Sequence, residues 1–591
     1  MSPRFLAAVA ALTALLALLT VRGVFTLDEP NYAATVHALR HGRLTLPDTD
    51  GLGASQELLY FDPIFDRAPE QPVRLRAPPL YAFLALPFSV GGFFGLVWPN
   101  LLGFALVAVL VFAMIRRWTA DAAVAWLGAG CVTVFAFNLE YAMGVWPHLL
   151  AVALVTGAFA LAASACESSA RWRAAALSGL LVGLAAGVRY QEVVYAGALG
   201  LGLLLWSSRR QVLAFGAGLS LPLIASATLN WQRLGIFHPF TKGKGYLKPT
   251  TLTAGGSGVG ETTLPPALLR SLEPLRVLWT KVVDFSTHPP LKLGPVDLSP
   301  SPHSPAIVFV GAVKKALLQS LPWAALSLLV LALVFRRPRA QPGVLPLRMA
   351  ALVCGAVLLA FAVAGYRRVD GICFNERYFL ELVPLCALSL AWGVRGQLRR
   401  TPLLVGGLLG STLCALVLRA ADRGLHERAL LWLPLVLSAA LVASYLWPRG
   451  RVEMRARLIS ASLAAALAWS LVVHVGDDVR ASRIVRGRMA HVTTVLDQAL
   501  PRHGRLALFT LGYWSNAAAP LELSREVVIL DALRDQVRDA PRLVGEALSS
   551  GRRVFVLENG FSPGELKRMA AGRPVRRVQH QGLALLEITP P

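Results

Sequence analysis

Directly after its first apolar run the chain reads RGVFTLDEPNYAATVHALRHGRL, which sets two adjacent acids, Asp28 and Glu29, where a membrane segment ends. Acids at a membrane boundary are costly and mark functional sites by default. A carboxylate there can take the proton of an attacking hydroxyl. The competing reading is local. Tyr32, Val36 and Leu39 fall at helical spacing, so Glu29 can cap a short amphipathic helix with Pro30 at its first position. Acids at a helix N-terminus are also stabilised by the macrodipole. His37 and His41 lie four apart on the same face, close enough to share an ion, but no third ligand is evident and no metal is assigned.

Five cations are expected on the same side of the membrane as these acids: Arg76 before a Pro-Pro pair, Arg189 in GVRYQE, Lys242 and Lys244 in FTKGKGY, and Arg377 in NERY. That placement runs against the usual bias of basic residues toward the cytosol. Snorkelling to the interface and binding of lipid headgroups are the alternatives for each. His148 in VWPHLL and Tyr246 face the same side, where interfacial anchoring would also account for them.

A membrane scaffold must position these residues. Of the 591 residues 55% are hydrophobic and only 16% charged, which is too apolar for a soluble domain. The net charge of +24 does not point to nucleic acid, because the arginines sit in short clusters between apolar runs, where they orient helices. Five of the six cysteines lie inside apolar runs and no CxxC pair occurs, so neither a disulfide framework nor a thiolate metal site is indicated. The N-terminal run resembles a secretory signal but lacks a small-residue cleavage site, and it reads as an uncleaved span.

About thirteen segments approach the ~20 apolar residues that a span needs: 5–24, 94–115, 122–138, 146–166, 174–188, 193–206, 212–229, 317–335, 349–364, 378–394, 403–418, 429–447 and 458–474. With Arg4 inside, alternate connections are basic at Arg116, Arg171, Arg209, Arg336, Arg395 and Arg449. This predicts a cytoplasmic (inner) membrane protein with its N-terminus in the cytosol and its C-terminus outside. The alternation holds if APPLYAFLALPF, residues 77–88, lies at the outer interface instead of crossing. Residues 25–92, 231–304 and 476–591 then fall outside. In the last of these RLALFTL, REVVILDA and RRVFVLEN read as buried strands, with helices in DQVRDAPRLVGEALSSG and SPGELKRMAAG. The expected fold class is an α-helical polytopic membrane protein, residues 1–475, with a small C-terminal α/β domain, residues 476–591.

Four stretches, in order, carry a family resemblance. LDEPNYAATVHALRHGRL follows the first span, RAPPLYAFLALPF closes the first outer loop, LNWQRLGIFHPFTKGKGY opens the second, and FNERYFLELVPL leads into a later span. Together they resemble the GT-C membrane glycosyltransferases, in the protein O-mannosyltransferase and aminoarabinose–lipid A transferase group (glycosyltransferase family 39/83-like), over about the first 400 residues. The resemblance implies transfer of a hexosyl or pentosyl group from a polyprenyl-phosphate-linked donor to an extracytoplasmic lipid, glycan or protein. It implies Asp28 as the base, with inversion at the sugar carbon, and Glu29 positioning the acceptor or a donor hydroxyl. Arg76, Arg189, Lys242, Lys244 and Arg377 become candidates to hold the donor phosphate, for which Arg is the natural clamp and Lys a point charge. Tyr32, Tyr81, His148, Tyr246 and Tyr378 are expected to line the substrate. In the aminoarabinose branch a second acid directly precedes the Lys-Pro-Pro element, whereas Leu75, Arg76 and Ala77 stand here and the nearest acid is Glu70. No cofactor follows with certainty, a divalent metal being the one candidate.

Two other classes compete. A transporter or lipid flippase would keep its charges near the bilayer midplane between broken helices, whereas the ionisable residues here cluster at the ends of spans. A non-enzymatic envelope-assembly protein would work through its C-terminal domain. Membrane lipids are expected partners in every reading, and nucleic acid in none.

Overall fold

The computed structural model describes residues 2–25, 28–42, 78–234, 237–240, 305–363, 376–422, 427–448, 451–510, 513–523, 525–531 and 540–590. Arg76, Lys242, Lys244 and Tyr246 lie outside them. Helices dominate, as they must where a backbone in lipid has to satisfy its own N–H and C=O groups. The apolar segments coincide with helices in order, from Pro3–Leu19 to Val452–Leu471. Among the described residues five are long and apolar enough to cross a bilayer alone: Trp98–Thr119, His148–Ala165, Arg209–Gln232, Val344–Val363 and Val452–Ala499. The chain is a multi-pass membrane protein. Leu204, Leu213, Leu221, Leu359, Leu404 and Leu408 point outward from the bundle, a belt that only lipid can cover without cost.

Small residues let the helices meet backbone to backbone. A Cβ on Gly179 would come within 2.0 Å of the Phe215 carbonyl oxygen, and one on Gly218 within 2.0 Å of that of Ala176, so Trp172–Val188 and Arg209–Leu234 pack directly on each other. The segment expected as one span at 317–335 is instead broken. Ala312–Gln319 and Ala324–Arg336 meet at 102°. A π-helical turn, Lys315–Gln319, precedes the break, and Pro322 lies in it with no N–H to continue the ladder. The stretch expected at the interface forms a seven-residue helix, Pro79–Ala85, followed by a 3-10 turn, Leu86–Gly91. Helical turns then continue through Gly92–Gly95, so that Pro79–Gly95 is one apolar run just under the 18 residues of a full span.

The two ends of the bundle differ in chemistry. At one, Arg117 and Arg171 both donate to Glu167, and Arg399 and Arg457 to Glu453, all partly exposed. At the other, the site end, acids are buried beside the connecting segments.

Val452–Ala499 is 48 residues long, roughly 70 Å of helix, so it crosses a ~30 Å hydrocarbon core and continues as a stalk. It is π-helical over Val472–Val479, and residue 476 falls within that turn. The stalk helix, Arg480–Ala499, leads into a five-stranded sheet: β1 (Leu506–Thr510), β2 (Val527–Asp531), β3 (Arg553–Leu557), β4 (Val575–His580) and β5 (Leu583–Ile588). The order is β2-β1-β3-β5-β4, with β1 parallel to β2 and β3, and β5 antiparallel to β3 and β4. Strand alternation divides the core. Leu506 and Leu508 face Met489 and Leu496 of the stalk, while Ala507 and Phe509 face Leu543 and Val544 of the helix Ala540–Ser549. Three strands and both helices were legible in the sequence; the β4–β5 hairpin was not. It turns at Gln581 and Gly582, both at positive φ, as a tight two-residue turn requires.

Candidate active site

The helix after the first span runs Asp28–Arg40, so it starts at Asp28, one residue before the expected cap. Glu29 does not cap it. Its side chain is fully buried, with one carboxylate oxygen accepting from the main-chain N–H of Phe25 and the other from that of Val145, at 2.8 Å, and from Arg486 Nη1, also at 2.8 Å. Two main-chain donors and a guanidinium from other segments outcompete the local turn, because each charge-assisted bond to a buried carboxylate is strong. Arg486 comes from the stalk helix. It also donates to the Gly23 carbonyl at 2.8 Å, and its guanidinium lies 5.5 Å from the ring centres of both Phe25 and Trp146. Tyr32 meets the fully buried Tyr81 edge-on, with ring centres 5.0 Å apart, close enough to Glu29 for Tyr81 to feel its charge.

Val145 and Trp146 are held in place by Asn100. Its amide nitrogen donates to the carbonyls of Gly144 at 2.9 Å and Trp146 at 2.5 Å, and its oxygen accepts from the N–H of Leu149 at 2.8 Å. The last bond satisfies an orphan donor in the first turn of His148–Ala165. His148, the first residue of that helix, is buried between Tyr141 and Trp146, with ring centres 5.1 and 5.4 Å away. It lies within electrostatic reach of Arg189 and Arg377, which joins this group to the next.

Arg189 follows Trp172–Val188 and is buried with Glu192 and Glu381. Its Nη1 donates to Glu192 at 3.2 Å and to Glu381, its Nη2 donates to the main-chain carbonyl of Arg377 at 2.5 Å, and the Gln191 amide lies against the same guanidinium. Burial, then the neighbouring Glu381, push the Glu192 carboxyl well above the ordinary carboxylate range. Against the expectation of a phosphate clamp, the Arg189 guanidinium is engaged by protein groups on every side. Arg377 differs. Its guanidinium is half-buried, stacked 5.1 Å over the Tyr378 ring and donating to the Tyr378 hydroxyl at 3.2 Å. The start of the second connecting segment is drawn to the same place: Asn230 donates to the His238 carbonyl at 2.8 Å, and Phe240 meets Tyr190 edge-on at 5.5 Å.

Of the sequence candidates, the structure therefore brings Glu29, Tyr32, Tyr81, His148, Arg189, Arg377 and Tyr378 to one end of the bundle, with Asp28 opening the helix beside them. His37 and His41 have rings 4.5 Å apart, and no group of three metal-binding side chains forms among the described residues. Asn100, Trp146, Glu192, Glu381 and Arg486 escaped the sequence reading. Glu192 and Glu381 carried a signal, since both are acids at the edge of an apolar run. Arg486 carried none, being one of several arginines in RASRIVRGRMAH. A further buried pair stands behind the site, with His474 Nδ1 2.8 Å from Asp478 and its Nε2 3.1 Å from the Ser320 carbonyl at the helix break.

No protein-family model and no curated protein sequence matches the chain. Solved structures do resemble it. ArnT from Cupriavidus metallidurans bound to undecaprenyl phosphate aligns with a TM-score of 0.55 at 13% identity, covering 100% of this chain and 100% of that one. The same protein in its apo state gives 0.55 at 14%, with 100% and 98% covered. The Archaeoglobus fulgidus oligosaccharyltransferase in its apo form gives 0.43 at 11%, with 96% and 71% covered. The likeness to ArnT runs the length of both chains and establishes a shared fold.

Proposed function

We propose, from the GT-C membrane fold that this chain has, that it is a glycosyltransferase moving a sugar from a polyprenyl-phosphate-linked donor to an acceptor hydroxyl at the outer membrane face. One observation carries the reading. Residues from five separate stretches of sequence, around 28, 81, 148, 189 and 377, meet at one end of the bundle, where acids, a stacked arginine and aromatic rings stand together. The undecaprenyl phosphate bound to ArnT supports the donor class. In this reading the site end faces outward, the N-terminus lies in the cytosol, and residues 476–591 form an extracytoplasmic domain beyond the transferase domain of residues 1–475.

The chemistry assigned to these groups is a single displacement. The acceptor oxygen attacks the anomeric carbon opposite the phosphate, Asp28 takes the hydroxyl proton, and the bond from sugar to phosphate breaks with its electron pair staying on the phosphate. The configuration inverts. Negative charge grows on the departing polyprenyl phosphate, and Arg377, stacked and oriented before the reaction, meets it without reorganising. Tyr32 offers an aromatic face to the sugar, with the buried Tyr81 and His148 packed behind the site, and Arg76, Lys242 and Lys244 stay proposed as further phosphate contacts. Glu29 positions the helix that carries Asp28.

The test is transfer from a polyprenyl-phosphate sugar by the protein in vesicles. Asp28→Asn should abolish transfer while the variant inserts and unfolds as wild type. Undiminished transfer by Asp28→Asn would remove the base from the mechanism.

A further inference from the structure

Resting on the function proposed above, we propose that Arg486 is a positioning residue for sugar transfer: supplied from beyond the last span, it fixes the main chain at Asp28 by way of Glu29. The C-terminal stalk is then a built part of the transfer site.

Three groups, all far in sequence from Arg486, converge on its guanidinium. The end of the first span contributes the Gly23 carbonyl, the helix Asp28–Arg40 contributes the Glu29 carboxylate, and residues 144–146 contribute the Trp146 face. Within its own helix the guanidinium is steadied by the Ser482 hydroxyl, which accepts from Nε at 3.2 Å. The main chains touch as well. A Cβ on Gly23 would fall 1.9 Å from the Arg486 carbonyl oxygen, so only glycine admits the stalk at this distance. Higher up, the turn Ala519–Leu523 of the sheet domain packs against the Asp28–Arg40 helix. The helix bearing the proposed base is therefore held from below by its own span and from the side by the tail.

Packing alone does not account for an ion pair here. A buried Arg–Glu pair seldom stabilises a fold more than apolar side chains of the same volume would, and on this proposal its use is to hold one geometry. The pair sits in the first turn of the helix, one residue from Asp28, where a small displacement of the base matters most for reaction. Deleting the tail would remove this bond along with the sheet.

The experiment uses the full chain in vesicles, with kcat and donor KM measured separately and amide hydrogen exchange followed across residues 28–40. Arg486→Gln should lower kcat about 100-fold with donor KM changed less than about twofold, and should speed exchange in 28–40 but not in Val344–Val363. Arg486→Lys, which keeps the charge that Glu29 faces, should recover most of the lost rate. Wild-type kcat and wild-type exchange in Arg486→Gln would overturn the proposal. Should Arg486→Gln not fold, the double variant Glu29→Gln with Arg486→Gln leaves no unpaired buried charge and takes its place, with the same two expected results. Should the wild type transfer no sugar from any polyprenyl-phosphate donor, the proposed function falls, and exchange in 28–40 alone then decides the role of Arg486: faster supports it, unchanged overturns it.

Discussion

Arg189 donates to the main-chain carbonyl of Arg377, 2.5 Å away across 188 residues of sequence. The bond ties the turn after Trp172–Val188 to the turn before Leu382–Val394 and sets where the Arg377 side chain begins. Arg377→Ala is therefore expected to act on the ligand. Removing a charge-assisted hydrogen bond costs about 1.5 to 3 kcal/mol, which is roughly 10- to 150-fold in donor affinity. Titration of the purified protein with a polyprenyl phosphate reads this directly, and unchanged affinity would take Arg377 out of the donor site.

Arg189→Leu should act on the fold instead. It strands Glu192 and Glu381, both fully buried, without the cation they share. Removing one partner of a buried pair costs about 3 to 5 kcal/mol. Thermal unfolding in detergent should show a large drop at neutral pH that narrows in acid, since protonation removes the charge that lost its partner. A drop of the same size at every pH would mean that packing, not charge, was lost.

The raised pKa of Glu192 makes a separate prediction about pH. A glutamate in the unfolded chain titrates near 4.5, and in the folded protein burial and Glu381 hold Glu192 well above that. The folded state binds the proton more tightly, so the stability it contributes is complete below 4.5 and is lost as pH rises through the raised value. Glu192→Gln has no proton to lose. Wild-type Tm should fall relative to this variant as pH rises from 4.5 toward neutrality, and a gap that does not change with pH would contradict the assignment.

What could be read in advance follows from the range of the forces involved. A bilayer demands long apolar runs and sorts arginines to one side, so the helices and the alternation of basic connections are written locally in the chain. The break at Ser320 to Trp323 is not, because hydropathy averages over a π turn and a single proline. Strand β4 was missed because VRRVQH is an exposed edge with no apolar face to betray it. At the site, Glu29 announced itself as an acid at a membrane boundary, but its partner lies 457 residues away. Pairings at that distance leave no mark in either neighbourhood, so the sequence offers Glu29 as a helix cap or a substrate-positioning acid and gives no sign of Arg486 as its partner.

Asn100 offers the last prediction, on how the loop over the site is held. Its amide gives two hydrogen bonds to the carbonyls of Gly144 and Trp146 and takes one from Leu149. Asn100→Leu fills similar space but leaves those buried main-chain groups unpaired, at about 1 to 3 kcal/mol for each group that finds no other partner. A fall in Tm of several degrees is expected. Because the same loop supplies the Val145 N–H to Glu29 and the Trp146 ring to Arg486, the effect should also depend on Glu29. Glu29→Gln, Asn100→Leu and the double variant form a cycle that measures this dependence. Independent sites add within about 0.3 to 0.5 kcal/mol, so a larger coupling energy would place Asn100 and Glu29 in one network, and additivity would mean that the loop keeps its shape without the amide.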